Sequence, residues 1–192
     1  MNGMDKIVFD IETSNIISDV GGDAHIDKLD VSVVGAYSYD KDEYFCFEQH
    51  EFPALEEMMK NSGLIIGFSS KRFDVPVLNK YFKFNLAALP HYDILDEIEK
   101  VWGRRISLDL LAEANLGVKK TGHGLDAIGW WKNGEKDKVK EYCKHDVKIT
   151  KEIFDLIGKQ GYLWIPQRNS PHMAKVELSY KEAEPKPQGG LF

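Results

Sequence analysis

The tightest constraint on this chain is a stretch near its start, Lys6-Ile7-Val8-Phe9-Asp10-Ile11-Glu12-Thr13. Ile7, Val8, Phe9 and Ile11 are β-branched or aromatic and predict a buried strand. Any fold that buries it must also dispose of two acids. Asp10 and Glu12 are two apart, so on an extended backbone both carboxylates project from the same face. Two like charges at the end of an apolar strand repel each other and lose hydration, a cost that a divalent cation removes. The alternative is the solvated face of an edge strand. Acids further along the chain bear on the choice.

Downstream, Thr13 to Asp30 is polar, carries Gly21-Gly22 and is expected as a loop. Val31 to Tyr39 and Glu43 to Phe47 flank Tyr39-Asp40-Lys41-Asp42 and predict a hairpin, which with the first strand makes a three-stranded antiparallel start. Phe52 to Lys60, with Pro53 in its first turn, has the spacing of an amphipathic helix. Gly63 to Phe68 (GLIIGF) predicts a buried strand, parallel to the first if the helix is a crossover. A helix with Pro76 in its first turn is expected over Val75 to Phe82. His91 to Val101 is expected to be extended at Tyr92-Asp93 and helical after it. Ser107 is an N-cap for a helix to Asn115, with Gly117 past its end, and Leu125 to Trp131 is a short helix. Lys136 to Gly158 has the longest helical pattern, with Val139, Tyr142, Cys143, Asp146, Ile149, Ile153 and Leu156 near a 3.6 period and Gly158 as its stop.

Strands first, then a strand between helices, then helices alone predict an α/β fold: a central mixed sheet of antiparallel and parallel strands flanked by helices. The 192 residues fit one domain, expected over 1–166. The composition shifts from Arg168, and Glu182 to Gly190 holds no apolar residue but one alanine, so 167–192 is expected as a flexible extension. Neither a membrane-spanning run nor a leader is visible, which predicts a cytoplasmic protein with no membrane partner. Cys46 and Cys143 lack C-x-x-C spacing and are expected as free buried thiols. The net charge of −6 opposes a general nucleic-acid coat. Four ligand carboxylates holding two divalent cations would gain four positive charges, bringing −6 to −2.

Two later acids matter. Asp74 follows the Gly63 to Phe68 strand and opens a helix, either as its N-cap or as a ligand. Asp146 lies on the inward face of the long helix with Tyr142 one turn before it. A carboxylate there is costly unless paired or metal-bound. Order and spacing together resemble the DEDD, or DnaQ-like, superfamily of 3′-5′ exonucleases, a branch of the ribonuclease-H-like fold. The motifs are Phe9-Asp10-Ile11-Glu12-Thr13, then Gly67-Phe68-Ser69-Ser70-Lys71-Arg72-Phe73-Asp74, then Tyr142-Cys143-Lys144-His145-Asp146-Val147. The third is the Y-x-x-x-D form, since the histidine form needs histidine at position 141, which is Glu141. The wording is nearest to the proofreading domain of family-B DNA polymerases and to YprB-like ribonuclease-H-like domains.

The resemblance implies a metal-dependent 3′-5′ exonuclease acting on single-stranded DNA ends, in repair or replication editing, with RNA as the alternative substrate. A binding module without catalysis is the other alternative. Two Mg2+ or Mn2+ ions would be held by Asp10, Glu12, Asp74 and Asp146, oxygen ligands that suit these ions and disfavour zinc. Tyr142 would orient the nucleophilic water. The family usually carries asparagine where this chain has Ser69, which bears on a contact to the substrate strand. Thr13 and Phe73 are placed to meet the terminal nucleotide, and Lys71, Arg72, Arg104, Arg105, Lys119 and Lys120 are candidate phosphate contacts. Trp130-Trp131 would stack on bases or pack in the core. His145 points about 100° away from Asp146 on a helix, giving it a minor role. The terminal Gln188-Gly189-Gly190-Leu191-Phe192 resembles the peptide by which bacterial replication proteins dock on the sliding clamp, with Gln188, Leu191 and Phe192 as its contacts.

Overall fold

The first strand becomes the middle of a sheet. In the computed structural model, which describes residues 4–118, 124–168 and 170–180, β1 (Asp5–Thr13) lies between β2 (Val31–Ser38) and β4 (Ser62–Gly67). With β3 (Glu43–Phe47) and β5 (His91–Asp93) the order is β3-β2-β1-β4-β5. β1, β2 and β3 pair antiparallel, whereas β1–β4 and β4–β5 pair parallel. The expected antiparallel start and parallel fourth strand are both present.

Alternation along β1 sorts its side chains. Ile7, Phe9 and Ile11 join a core with Phe52, Leu55 and Met59 of α1 (Phe52–Lys60) and Val75, Val77 and Leu78 of α2 (Asp74–Asn79). Val8 joins the opposite core, with Val147, Ile153 and Ile157 of α6 (Lys136–Gln160) and Ile98 of α3 (Ile94–Trp102). Asp10 and Glu12 share the face of Val8, so they look toward α6. The register shifts between Glu12 and Thr13, a bulge where β1 leaves the sheet.

Gly35 stands opposite Asp10 in the β1–β2 ladder. A Cβ there would lie 2.9 Å from Val147 Cγ2 and 3.0 Å from the Cys143 sulfur, so only glycine lets α6 lie this close to the sheet.

Ser107 caps α4 (Leu108–Leu116) by accepting the Leu110 N–H at 3.3 Å, and Gly117 ends it with φ 68°. α5 (Gly124–Lys132) packs on α6 and β1.

Four expectations need correction. The long helix does not stop at Gly158 but runs to Gln160, because Ile157 extends its buried stripe and Gly161, at φ 76°, supplies the left-handed cap. The Thr13 to Asp30 loop folds into two 3-10 segments, Ile17–Val20 and Asp23–Lys28. The Val75 to Phe82 helix begins one residue earlier and ends at Asn79, whose side chain turns to accept the Leu86 N–H at 2.7 Å. The fourth concerns the boundary at 166. β6 (Tyr162–Pro166) and β7 (Met173–Glu177) form a second, two-stranded sheet. Leu163, Ile165, Val176 and Leu178 are buried in the α6-side core, and Tyr180 packs against it. Residues 170–180 therefore belong to the folded body. The Gln188 to Phe192 peptide, and Lys119 and Lys120, lie outside the described residues. Cys46 and Cys143 are free, the first half-buried and the second fully buried. No helix among the described residues is long and apolar enough to cross a membrane.

Candidate active site

At the carboxyl ends of β1 and β4, a cavity of ≈ 840 Å³ opens between the sheet, α5 and α6. Asp10 and Glu12 of β1, Asp74 at the start of α2, and Tyr142 and Asp146 of α6 all line it. Thr13, Ser69 and Phe73 line it too. The three motifs, up to 136 positions apart in sequence, thus meet around one space.

Glu12 and Asp74 are 7% and 5% exposed, too buried for solvated surface acids. Burial, followed by Asp74, Asp146 and Glu12, raises the Asp10 carboxyl well above its ordinary value. Burial, Asp146 and Asp74 do the same to Glu12. Burial pushes Asp74 up to about 7. Without a counter-charge these groups keep protons that such acids ordinarily release; a divalent cation supplies that counter-charge.

The cap reading of Asp74 does not hold. Phe73 is the N-cap of α2, and Asp74 Oδ1 instead accepts the Ile11 N–H at 3.2 Å. That bond ties α2 to β1 between Asp10 and Glu12.

Cys143 is a neighbour that spacing did not reveal. Its sulfur lies within 4.8 Å of carboxylate oxygens of both Asp10 and Glu12. It contacts the Asp10 carbonyl at 3.4 Å and Oδ2 at 3.7 Å, and accepts the Gly35 N–H at 3.1 Å. Burial, with Asp10 and Glu12, holds the thiol well above its ordinary value, so it stays protonated and donates to Asp10. The anionic donors are therefore carboxylate oxygens, a set that fits Mg2+ or Mn2+.

Tyr142 is half-buried, with its ring edge-on to Trp130 at 6.0 Å. Burial and the Asp146, Glu12 and Asp10 charges raise its phenol, which remains a donor. Trp130 and Trp131 pack against Ala127, Val139 and Cys143, and Trp131 also lies under the Lys136 ammonium at 4.8 Å; neither faces the cavity. His145 is also absent from the lining, and its Nε2 has no hydrogen-bond partner among the described residues.

The segment between β4 and α2 is held by Asp93, which sequence reasoning overlooked. Fully buried at the end of β5, its Oδ1 accepts the N–H groups of Ser69 (2.9 Å), Leu95 (3.1 Å) and Asp96 (3.2 Å). Its Oδ2 accepts that of Lys71 at 2.9 Å. One carboxylate thus caps α3 and fixes the loop leading to Asp74. An aspartate directly before a helical pattern was the available signal. Ser69 sits at φ 61°, a region where asparagine is enriched. Here serine is held there by Asp93 and by Arg105 Nη2, which donates to Ser69 Oγ at 2.8 Å.

Lys71 and Arg72 are exposed and not brought to the cavity. Arg72 instead pairs with Glu99 at 2.7 Å and Asp96 at 3.5 Å.

A family model described as RNase_H superfamily matches residues 7–157. A DNA-directed DNA polymerase of Enterobacteria phage T3 is 26% identical over 204 residues, covering 84% of this chain and 28% of that protein. The structure of the family B DNA polymerase from the hyperthermophilic archaeon Pyrobaculum calidifontis superposes with a TM-score of 0.62 at 18% identity, over 81% of this chain and 25% of that one. The chain thus spans 28% and 25% of the length of these two relatives.

Proposed function

This chain belongs to the RNase_H superfamily, and on that premise we propose that it is a metal-dependent 3′-5′ exonuclease acting on single-stranded DNA ends. The observation that carries the reading is the meeting of Asp10, Glu12, Asp74 and Asp146 with Tyr142 around one cavity. Two bound Mg2+ or Mn2+ ions would supply Lewis acidity and an activated water for in-line displacement at phosphorus. Asp10, Glu12, Asp74 and Asp146 would hold them. Tyr142 donates its hydroxyl hydrogen to the attacking water and fixes its direction, a positioning role consistent with a phenol that keeps its proton. Thr13 and Phe73 bound the space for the terminal nucleotide. The 3′-5′ polarity rests on the resemblance of the three motifs.

The test is degradation of a 5′-labelled single-stranded DNA oligonucleotide with Mg2+ or Mn2+, wild type beside Asp10→Ala and Asp146→Ala. A ladder shortening from the 3′ end, absent from both variants and from chelator, is the expected result. No ladder from folded wild type on DNA, with one on the matched RNA, transfers the activity to RNA; none on either leaves a binding module. We further propose a cytoplasmic setting in repair or replication editing, with docking of Gln188, Leu191 and Phe192 on a bacterial sliding clamp. Deleting Gln188 to Phe192 is expected to abolish clamp capture in a pull-down and to leave oligonucleotide degradation intact.

A further inference from the structure

Beyond Ser69 lies a second cavity of ≈ 980 Å³, which shares Phe68 and Ser69 with the acidic one. Its lining contains no carboxylate and three guanidinium groups, those of Arg104, Arg105 and Arg168. In a chain of net charge −6 this is a local reversal of sign. The arginines come from two distant segments. Gly103, at φ 76°, ends α3 and turns Arg104 and Arg105 outward, while Arg168 follows β6.

Arg105 is committed, pairing with Glu99 at 3.2 Å and donating to Ser69. Arg104 and Arg168 form no ion pair among the described residues and are both exposed. The Arg104 guanidinium lies 5.9 Å from the centroid of the Trp102 ring, and Leu110, 50% exposed, lies on the same lining. Guanidinium forks match phosphate oxygens, and aromatic faces take bases of any sequence.

We propose that this cavity binds the upstream part of the same strand whose 3′ end enters the acidic cavity, with Arg104 and Arg168 on successive phosphates and a base against Trp102. The inference rests on the nuclease reading for its direction along the strand. Because Phe68 and Ser69 line both cavities, the two sites are adjacent, and one strand can reach from one to the other.

Fluorescence anisotropy of labelled dT12 in chelator, across a salt series, tests it without any cleavage. The Arg104→Gln/Arg168→Gln variant is expected to bind roughly tenfold more weakly and to lower the slope of log K against log salt by about 1.4, at about 0.7 per phosphate contact. A Lys60→Gln/Lys159→Gln control carries the same charge change at exposed residues that line neither cavity, and its slope should match wild type. An unchanged slope in the arginine variant, or an equal fall in the control, overturns the proposal. So does an equal loss of dTMP and dT12 binding, which would make the occupant a released nucleotide. A normal nuclease ladder with an unchanged slope removes only this cavity's role; the expected slope change without a ladder removes only the nuclease reading.

Discussion

Raising the pH of the cation-free protein from 5 to 8 is expected to destabilise it by about 3 kcal/mol through Asp74 alone. Burial holds this carboxyl at about 7 in the folded chain, against 3.8 for the ordinary group. Between those values the unfolded chain has released its proton and the folded chain keeps it. The stabilisation is therefore complete below pH ~4 and is lost as pH rises through about 7. About two pH units of that difference lie above pH 5, at about 1.4 kcal/mol each. Asp10 and Glu12, also raised, act in the same direction. His91 opposes them, since burial lowers its imidazole and favours the fold as pH rises. Asp74→Asn separates these effects: the amide oxygen can still accept the Ile11 N–H, the charge is gone and His91 is untouched. Urea unfolding in chelator, followed by tryptophan fluorescence at pH 5, 6, 7 and 8, should show wild type losing about 3 kcal/mol relative to Asp74→Asn. Mn2+ at a hundred times its dissociation constant should return about 2.7 kcal/mol to wild type at pH 8. A wild type whose stability relative to the variant stays flat or rises over this range refutes the reasoning.

Tyr142→Phe keeps the packing on Trp130 and loses the hydroxyl; kcat should fall about a hundredfold at an unchanged thermal midpoint, read by single-turnover cleavage and calorimetry. Asp93→Ala strands four backbone N–H groups and should cost about 3 kcal/mol in urea unfolding. Cys143, buried and held protonated, should resist a thiol-specific disulfide reagent in the native protein and react only on unfolding, whereas Cys46 is half-buried and should react sooner.

The sheet was legible because β1, β4 and the β2–β3 hairpin each carry a local pattern that tertiary packing reinforces. The five lining residues Asp10, Glu12, Asp74, Tyr142 and Asp146 were legible from motif order. What stayed hidden depends on contacts between distant positions. Nothing beside Asp74 in sequence shows that its oxygen meets Ile11, and nothing beside Cys143 places its sulfur on Asp10. The β6–β7 hairpin was missed for another reason. Leu163 and Ile165 alternate with exposed or half-buried neighbours, as do Val176 and Leu178, but average polarity after Arg168 hid the latter two, and a strand without its partner is not read as a hairpin. Arg72 met the acids of α3 rather than the cleft, which a count of basic residues cannot foresee.

The close approach at Gly35 makes three positions vary as one. A methyl group at 35 would press on Val147 and on the Cys143 sulfur, so a lineage that enlarges residue 35 must shrink residue 143 or 147, or let α6 drift outward. Drift would carry Asp146 away from Asp10. Among descendants that keep the chemistry, size at these three positions should be inherited as a compensating set, with bulk gained at one matched by bulk lost at another.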